Sequence, residues 1–197
     1  MVDYGVGNLF SIKCAMEKVG FKTKINTSRI ETKEVDALIL PGVGNFSAAS
    51  KNLEKVRQQI IELVNEGTPV LGICLGMQLL LEESEEGSGK GLALLTGKNL
   101  KLPNTVKVPH IGWNTIKVIA QNRLVEGLED GSYFYFAHSY YAAPISKEVI
   151  SAETTYGVTF ASIIAKNNIF GTQFHPEKSG RNGLKILENF YKMVKGR

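Results

Sequence analysis

A cysteine stands between two glycines at the end of an apolar segment. The sequence GICLG (72–76) follows the pattern of a buried strand and opens a helical pattern, which is the order of a nucleophile elbow with cysteine in the serine position. Small neighbours relieve the crowding of such a sharp turn, and a helix N-terminus behind the sulfur favours the thiolate that attacks carbonyl groups. The more common role of a free cysteine is a buried, inert one, and Cys14 inside an amphipathic segment fits it. We therefore predict that Cys74 is a nucleophile.

A thiolate nucleophile needs a group that carries protons, and the chain has three histidines. His175 ends an apolar segment, and Glu177 follows two residues later, with Pro176 expected to keep the backbone between them extended. Side chains two apart on an extended chain point the same way, so the carboxylate can accept the second imidazole N–H and stabilise the imidazolium. His110 and His138 have no carboxylate so placed, and we interpret them as packed or hydrogen-bonded. The predicted catalytic triad is Cys74, His175 and Glu177.

The tetrahedral intermediate of an acyl transfer also needs donors for its oxyanion. In an elbow, the backbone N–H of the residue after the nucleophile, here Leu75, is one of them. The glycine-rich segment PGVG (41–44) after another predicted strand fits the second, through the N–H groups of Val43 and Gly44. Each donor stabilises such a transition state by about 3 kcal/mol. The alternative for this segment is a plain glycine-rich turn.

These residues need a scaffold, and the first half of the chain alternates strand and helix patterns. Short apolar segments at 36–40 and 68–73 read as strands buried on both faces, and apolar residues at helical spacing predict one helix over 51–66 between them. A further helix is predicted over 9–19, with Asn8 as its N-cap and Gly20 past its end. Another helix follows Cys74 and continues to residue 83.

After residue 91 the pattern becomes one of short strands with tight turns, and the last element is a helix over 182–194. The residues before Asp3 are too few for a full first strand, so we expect that edge of the sheet to be incomplete. The predicted fold is α/β, with a central, mostly parallel sheet and an antiparallel appendage. The strands of the second half are predicted at 106–119, 133–140, 149–155, 160–166 and 169–174.

Composition limits the function classes. The 197 residues suit a single domain over 1–197, and 43% hydrophobic and 21% charged residues are typical of a globular protein. No signal-peptide pattern or bilayer-length apolar run occurs, and two cysteines fit a reducing compartment, so we expect a cytoplasmic protein. The net charge of +4 is spread among acidic residues, which argues against nucleic acid as a partner. Three scattered histidines have no metal-ligand spacing, and no metal or cofactor is expected.

Taken together, the motifs resemble the class I, triad-type glutamine amidotransferases. The hallmarks are GICLGMQLL (72–80) and FHPEKS (174–179), which lie about a hundred residues apart in the expected order. Within that family the resemblance narrows to glutaminase subunits of imidazole glycerol phosphate synthases, and it extends over nearly the whole chain. The segments that narrow it are DYGVGNL (3–9), PGVGNF (41–46), PHIGWN (109–114) and FAHSYY (136–141).

This resemblance implies a three-layer, flavodoxin-like fold and a set of site residues. Gln78 and Glu86 match positions that help to hold the substrate glutamine, and the main chain around Gly44, Ser139 and Tyr140 matches the positions that hold its amino-acid end. No cofactor is implied. The resemblance also implies that ammonia passes through a tunnel to a cyclase subunit, a (β/α)8 barrel that makes imidazole glycerol phosphate and aminoimidazole carboxamide ribotide in histidine biosynthesis.

The implied partner is thus that cyclase, in a heterodimer. Trp113, Tyr135 and Lys178 match positions near its interface, and Asn8 lies in the other motif expected to face it. Ordinary core packing is the alternative role for Trp113 and Tyr135. A peptide flip in PGVG (41–44) between a blocked and a donating state would couple partner binding to glutamine hydrolysis.

Three other functions remain as alternatives. The chain could be a different glutaminase, of a pyridoxal phosphate synthase or an anthranilate synthase, although PGVGNF (41–46) and PHIGWN (109–114) disfavour both. It could be a non-catalytic scaffold for the cyclase, against which the intact Cys74, His175 and Glu177 argue. It could also be a general cysteine peptidase or esterase, which should cleave substrates other than glutamine.

Overall fold

The computed structural model describes residues 1–5, 7–27, 30 and 35–196. Val6 of the DYGVGNL (3–9) motif lies outside them. These residues form an α/β fold with five α-helices and eleven strands. In chain order the elements are α1 (Leu9–Lys18), β1 (Leu38–Leu40), α2 (Phe46–Leu53), α3 (Arg57–Asn65), β2 (Val70–Ile73), α4 (Leu75–Leu79), β3 (Glu83–Ser84), β4 (Gly97–Lys101), β5 (His110–Thr115), β6 (Lys117–Val118), β7 (Tyr133–His138), β8 (Tyr140–Pro144), a 3-10 turn (Lys147–Val149), β9 (Ile150–Tyr156), β10 (Val158–Lys166), β11 (Ile169–Thr172), a second 3-10 turn (Pro176–Lys178) and α5 (Gly180–Lys195).

A six-stranded sheet in the order β1-β2-β11-β10-β9-β6 forms the centre. Strands β1, β2 and β11 pair in parallel and are buried along their whole length, as expected for strands covered on both faces. The remaining strands continue this sheet with antiparallel pairing. The predicted α/β class is therefore confirmed, but the central sheet is mixed rather than mostly parallel, since three of its five strand pairings are antiparallel. The other strands form two small sheets, β3-β4-β8 and β5-β7.

Apolar side chains on the two faces of the sheet form two cores. Along β1, Leu38 and Leu40 join one core while Ile39 joins the other, as alternation along a strand requires. Helices α2, α3 and α4 cover the first face, and α1 and α5 cover the second. The fold therefore has three layers, with helices on both sides of a sheet. The α5 side chains in the second core are Ile186, Leu187, Phe190, Met193 and Val194.

The single helix predicted over 51–66 is wrong, because the chain forms α2 and α3 with a break between them. The Asn45 side chain accepts the Ala48 N–H and starts α2 earlier than predicted. At Val56 the backbone leaves helical geometry, with φ −122° and ψ 0°. The break lets two short helices present their own apolar faces to one core, through Phe46, Ala49 and Leu53 from α2 and Ile60, Leu63 and Val64 from α3.

The helix after Cys74 is also shorter than predicted. Helix α4 ends at Leu79 because the carbonyl groups of Leu79, Leu80 and Leu81 accept N–H groups from residues 92–95 instead of from a next helical turn. All three leucine side chains are buried in the first core. A contact between distant segments thus overrides the helical pattern of the local sequence.

In the second half, the segment predicted as one strand over 106–119 contains β5 and β6, and residues 106–109 are not in a strand. The strand predicted over 133–140 is interrupted at Ser139, after which β8 joins a different sheet. Strand β4, which was not predicted, pairs with β3 and β8. At the sheet edge, Val2 forms only an isolated bridge with Asn26 and donates its N–H to the Ile39 carbonyl, in agreement with the expected incomplete edge strand.

Candidate functional site

The site is centred on the turn between β2 and α4. Cys74 has φ 53° and ψ −105°, a conformation that residues with a side chain rarely adopt and that turns the cysteine out of the strand. A Cβ on Gly72 would lie 2.5 Å from the Gly76 carbonyl oxygen, and a Cβ on Gly76 would lie 1.8 Å from the Leu40 carbonyl oxygen. Both glycines are therefore required for the turn and for its close approach to β1, which gives a steric reason for the GICLG pattern.

His175 and Glu177 lie together behind this turn. The His175 Nδ1 atom is 2.8 Å from Glu177 Oε1, and both side chains are fully buried. Asn8 donates its side-chain amide to the same Glu177 oxygen, although the two residues are 169 positions apart. The predicted pairing of imidazole and carboxylate is thus present, with a further donor that orients the carboxylate.

The Cys74 thiol influences the protonation of His175. Burial alone would lower the His175 pKa, but the negative charge of Cys74, followed by the hydrogen bond and the charge of Glu177, raises this pKa to about 10. With Nδ1 engaged by Glu177, the buried Nε2 atom has no hydrogen-bond partner among the residues that the structure describes. This arrangement favours an imidazolium at His175, which can give its proton to a leaving group.

The backbone between His175 and Glu177 differs from the extended conformation that we predicted. Pro176 starts a 3-10 turn rather than extending the chain, because its fixed φ angle and missing N–H suit the first position of a helical turn. The turn is held by Ser179, whose hydroxyl donates to the His175 carbonyl at 2.6 Å and accepts the Tyr135 N–H at 3.0 Å. The predicted contact therefore forms, but through a helical turn tied to β7.

Gln173 is a polar residue of the site that the sequence analysis missed. Its side chain is fully buried, and its Nε2 atom lies 3.7 Å from the Cys74 sulfur. Its Oε1 atom accepts the Ala142 N–H at 3.3 Å and the Gln78 amide at 3.5 Å, which fixes the orientation of the Gln173 amide. An N–H directed at the sulfur stabilises the thiolate. The only signal in the sequence was an amide residue in an otherwise apolar strand.

The loop 41–44, which was expected to supply one donor of the oxyanion hole, instead binds the other predicted donor, the Leu75 N–H. Leu75 donates its N–H to the Gly42 carbonyl at 3.3 Å, so that this donor is not available to a substrate oxygen. The neighbouring carbonyls are also bound, since the buried Tyr4 hydroxyl donates to Pro41 and the Gly7 N–H donates to Val43 at 3.2 Å. Residues 41–44 are therefore in a state in which the predicted donors do not form an open hole. Tyr4 was not identified from the sequence.

A cavity of about 190 Å³ opens next to the Cys74 sulfur. Gln78 donates its side-chain amide to the Tyr140 carbonyl at 2.6 Å, and Glu86 accepts the Phe46 N–H at 2.6 Å, so both polar side chains at the wall are held in place. The cavity brings together all the residues that we predicted for the oxyanion hole and for substrate binding. Its lining is Val43, Gly44, Cys74, Leu75, Gln78, Glu86, Pro109, Ile111, Ala137, His138, Ser139 and Tyr140.

Three of the four residues predicted at a partner interface, Trp113, Tyr135 and Lys178, are grouped around one aromatic ring. Trp113 and Tyr135 are opposite each other in the β5-β7 ribbon, and their rings are 6.1 Å apart. Lys178 lies over the Tyr135 ring, with 5.7 Å between Nζ and the ring centroid. Trp113 is 56% exposed, so core packing, its alternative role, is wrong for this residue. Asn8 is not a side-chain cap of α1, because its amide is directed to Glu177.

The other candidate groups have simpler roles. Cys14 is free and exposed, which corrects the prediction that it is buried. Within the described part of the chain, no three or more His, Cys, Asp or Glu side chains are grouped as metal ligands would be. No helix among the described residues has the length and apolarity needed to cross a membrane. His110 and His138 are buried and hydrogen-bonded to each other, as we predicted.

Comparisons with known proteins match nearly the whole chain. The family model for glutamine amidotransferase class-I matches residues 1–194. A relative from Methanocaldococcus jannaschii, imidazole glycerol phosphate synthase subunit HisH, is 47% identical over 195 residues, which is 98% of this chain and 98% of the relative. The HisH subunit of Pyrococcus furiosus is 49% identical over 98% of this chain and 97% of its own.

Solved structures agree on the fold. A glutamine amidotransferase crystal structure has a TM-score of 0.77 and 19% identity, covering 100% of this chain and 98% of its own. The structure of PurLQS from Thermotoga maritima also has a TM-score of 0.77, with 19% identity over 98% of this chain and 96% of the matched chain. At such identities the likeness supports the three-layer fold alone.

Proposed function

Because the chain belongs to the class I glutamine amidotransferase family, we propose that it hydrolyses the side-chain amide of glutamine to glutamate and ammonia, using Cys74, His175 and Glu177. The observation that carries this proposal is the buried His175–Glu177 pair, 2.8 Å apart, in a chain whose strained turn presents Cys74 to a cavity. A cysteine that serves only packing needs no such partner. The 190 Å³ cavity next to the sulfur is of a size for one amino acid.

In the proposed mechanism, the Cys74 thiolate attacks the carbonyl carbon of the glutamine side chain and forms a tetrahedral intermediate. His175 gives its proton to the leaving nitrogen, which departs as ammonia and leaves a thioester on the sulfur. His175, now neutral, takes a proton from water, the resulting hydroxide attacks the thioester, and glutamate leaves as the sulfur returns to the thiolate. Glu177 holds the imidazole in the correct orientation through both halves of the reaction.

Substrate recognition uses the wall of the cavity. Glu86 has one carboxylate oxygen engaged by Phe46, which leaves the other for the α-amino group of glutamine. The main chain around Gly44, Ser139 and Tyr140 lines the same cavity and would hold the carboxylate end, and Gln78 closes the side next to Cys74. These assignments predict that the chain selects free glutamine rather than a peptide or an ester.

The proposed partner is the cyclase subunit of imidazole glycerol phosphate synthase, since the relatives are named as subunits of that enzyme. Ammonia in neutral water is mostly ammonium, which is not a nucleophile, so passage through a protein interior would keep it reactive. The cyclase would use it to form imidazole glycerol phosphate and aminoimidazole carboxamide ribotide in histidine biosynthesis. A cytoplasmic location remains a prediction that fits this pathway and the two free cysteines.

The docking surface that we propose is the outer face of the β5-β7 ribbon. Alternation along the two strands puts Ile111 and Trp113 on the same face as Tyr133 and Tyr135, and three of these four are large exposed apolar side chains. The same face continues to Ala137, whose carbonyl oxygen lies 3.8 Å from the Cys74 sulfur. A partner on this face would therefore receive ammonia close to where it is released.

A glutaminase assay of the purified chain, alone and mixed with the cyclase and its nucleotide substrate, tests the proposal. We expect strong turnover of glutamine in the mixture and weak turnover for the chain alone, because the Leu75 N–H is bound to the Gly42 carbonyl. The variant Cys74→Ala serves as the matched control. The absence of glutamine turnover in the mixture, or turnover that survives in Cys74→Ala, would contradict the proposed function.

The coupling between partner and active site is proposed to pass through a flip of the peptide in residues 41–44. Gly42 and Gly44 have φ 159° and φ 148°, and neither has a side chain that would resist such a flip. We expect Gly44→Ala to reduce the stimulation of glutamine turnover by the partner, since a side chain at this φ is strained. If the ratio of turnover with and without the cyclase stays unchanged in this variant, the flip is not the coupling step.

A further inference from the structure

A pair of buried histidines lies behind the wall of the cavity, and the mechanism above does not use it. His110 on β5 and His138 on β7 are directly opposite each other in the ribbon, with 3.1 Å between His110 Nδ1 and His138 Nε2. Both side chains are buried, with exposed fractions of 3% and 5%. His138 Nδ1 lies 3.0 Å from the Tyr140 carbonyl oxygen, and His110 Nε2 lies 3.4 Å from the side-chain amide nitrogen of Asn114.

The positions of the protons in this series of hydrogen bonds follow from the groups at its two ends. At one end, a carbonyl oxygen can only accept, so His138 must carry its proton on Nδ1. At the other end, Asn114 Oδ1 accepts the Thr115 N–H at 2.8 Å and its Nδ2 donates to the Thr155 carbonyl at 3.2 Å, which fixes the amide orientation. The amide nitrogen therefore presents an N–H to His110 Nε2, which must be the acceptor.

Only one assignment of protons to the two imidazole rings fits both the Asn114 donor and the Tyr140 acceptor. His110 carries its proton on Nδ1 and donates to the unprotonated Nε2 of His138, so that both rings are neutral and both have the Nδ1–H tautomer. A second proton on either ring would place two donors opposite each other. The hydrogen bonds therefore run in one direction, from Asn114 through the two imidazoles to the carbonyl of Tyr140.

The packing around the pair favours this neutral state. His110 stacks on Tyr156 of β9, with ring centroids 4.0 Å apart, and on Phe136 of β7, with centroids 5.0 Å apart. Burial lowers the pKa of His110 to about 4, and burial, followed by the charges of His110 and His175, lowers that of His138 to about 3 despite the hydrogen bond to Tyr140. Tyr156, His175 and the nearby Cys74 are the titratable groups facing the pair, and no carboxylate in the described residues hydrogen-bonds either ring.

This series of hydrogen bonds from Asn114 through His110 and His138 to Tyr140, the histidine relay, ends in the wall of the substrate cavity. The Tyr140 carbonyl that accepts from His138 also accepts the Gln78 amide at 2.6 Å, and His138, Ser139 and Tyr140 line the cavity beside Cys74. His138 ends β7 and Tyr140 begins β8, so this wall lies where the chain passes from one sheet to another. The Ser139 carbonyl accepts the Leu102 N–H at 2.9 Å, and Tyr140 pairs with Lys101 of β4. The backbone contacts hold the strand, and the Tyr140 carbonyl is oriented by two side chains, His138 and Gln78.

We propose that His110 and His138 form a neutral, one-directional hydrogen-bond relay that positions the Tyr140 carbonyl and thereby the wall of the glutamine site, which makes both histidines positioning residues. This inference rests on the proposed function for the identity of the ligand, but the relay itself does not. It predicts an effect on glutamine binding rather than on the chemical step.

The relay is tested first by nitrogen-detected NMR of the chain labelled with ¹⁵N-histidine at pH 7. We expect His110 and His138 both to be neutral and protonated on Nδ1. A neutral histidine in water prefers the other tautomer, so this result is not the default. An Nε2–H tautomer or a charged ring at either position would overturn the proposal.

Kinetics of variants in the complex with the cyclase test the positioning role. His138→Leu should raise KM for glutamine about tenfold and change kcat by less than about threefold, because it removes one hydrogen bond to the wall but no reacting group. His138→Asn keeps an N–H near the Nδ1 position and should restore most of the loss. His110→Phe keeps the ring stacking but removes the donor, so it should raise KM while the unfolding midpoint changes little.

The outcomes separate the two proposals. If the unchanged chain with its cyclase turns over no glutamine, the proposed function fails, whereas the NMR tautomers still decide whether the relay exists. If the tautomers are as expected but KM is unchanged in His138→Leu, the positioning role is wrong. Equal losses of kcat in His138→Leu and His138→Asn, with no effect on KM, would also contradict it.

Discussion

The protonation state of His175 depends on the anions beside it. Its ring is fully buried, which disfavours a charge, yet the Cys74 thiolate and the Glu177 carboxylate together outweigh burial and keep the imidazolium stable. Gln173 adds an N–H directed at the sulfur. The charge on His175 thus depends on side chains from two segments that are about a hundred residues apart in the sequence.

Removal of the sulfur anion should therefore lower the pKa of His175. In the unchanged chain this pKa is about 10, so the ring should remain protonated through pH 8. In Cys74→Ala the largest raising influence is lost while burial remains, and the ring should lose its proton at a lower pH. A ¹⁵N-histidine NMR titration of both proteins measures the difference, and titration near pH 6.5 in both would contradict the proposed ion pair.

Asn8 offers a test of how the triad carboxylate is oriented. Its φ of 73° is in the left-handed region, so Asn8→Gly keeps the backbone conformation and removes only the amide that donates to Glu177. We expect kcat for glutamine to fall about tenfold or more, because a buried carboxylate loses a charge-assisted hydrogen bond. Asn8 makes no side-chain cap of α1, so the helix content seen by circular dichroism should not change. Unchanged kcat would show that Asn8 does not orient the triad.

Among the elements, the turn between β2 and α4 depends on close backbone contact. Strand β2 lies between β1 and β11, and the backbone of Gly76 packs against the Leu40 carbonyl of β1. This contact sets the position of Cys74 relative to residues 41–44, which follow β1 directly. The geometry of the catalytic turn and that of the oxyanion loop are therefore linked through one strand.

We expect Gly76→Ala to lower the free energy of unfolding by about 3 kcal/mol or more, because its Cβ would lie 1.8 Å from a backbone oxygen that cannot move freely. Gly127→Ala is the matched control. Its Cβ would meet no atom within 4 Å, but its φ of 73° costs about 1–2 kcal/mol. Urea unfolding of both variants measures the two effects, and equal losses would mean that the close approach to β1 is unimportant.

At the scale of the whole molecule, three large exposed apolar side chains lie together on the β5-β7 ribbon, which also contributes to the cavity wall. Ile111, Trp113 and Tyr133 are 64%, 56% and 59% exposed on one face of the β5-β7 ribbon, and Phe10, next to Asn8, is 78% exposed. Such a grouping around a site is typical of a surface that another protein covers. The ribbon and Asn8 both contact the segment that carries His175 and Glu177, because the Tyr135 carbonyl accepts the His175 N–H and Asn8 donates to Glu177.

We expect Trp113→Ala to weaken binding of the cyclase at least thirtyfold, as the loss of a central aromatic side chain usually does, without lowering the free energy of unfolding. Ile145→Ala is the control, because Ile145 is 74% exposed but lies after β8, outside the ribbon. Isothermal titration calorimetry of each variant with the cyclase measures Kd. Equal effects of the two substitutions would argue against this docking face.

Much of the site was readable from the amino-acid sequence because its signals are local. Glycines on both sides of Cys74, a carboxylate two residues after His175 and the apolar periodicity of α1 and α5 are each contained in one short segment, and physical chemistry limits what such segments can form. The α/β class followed from the alternation of strand and helix patterns, and the three layers were implied by the family resemblance. The predicted partner face could also be named, since its residues lie in recognisable motifs.

Other features depend on contacts between distant segments, and these the sequence did not reveal. Gln173 meets Cys74 across 99 positions, and Asn8 meets Glu177 across 169, so no local pattern marks either contact. The end of α4 and the hydrogen bond from the Leu75 N–H to the Gly42 carbonyl both depend on backbone groups of other segments that lie within hydrogen-bond distance in the folded chain. Hydrogen bonds select partners by distance and direction, and both are fixed only when the layers of the fold are packed together.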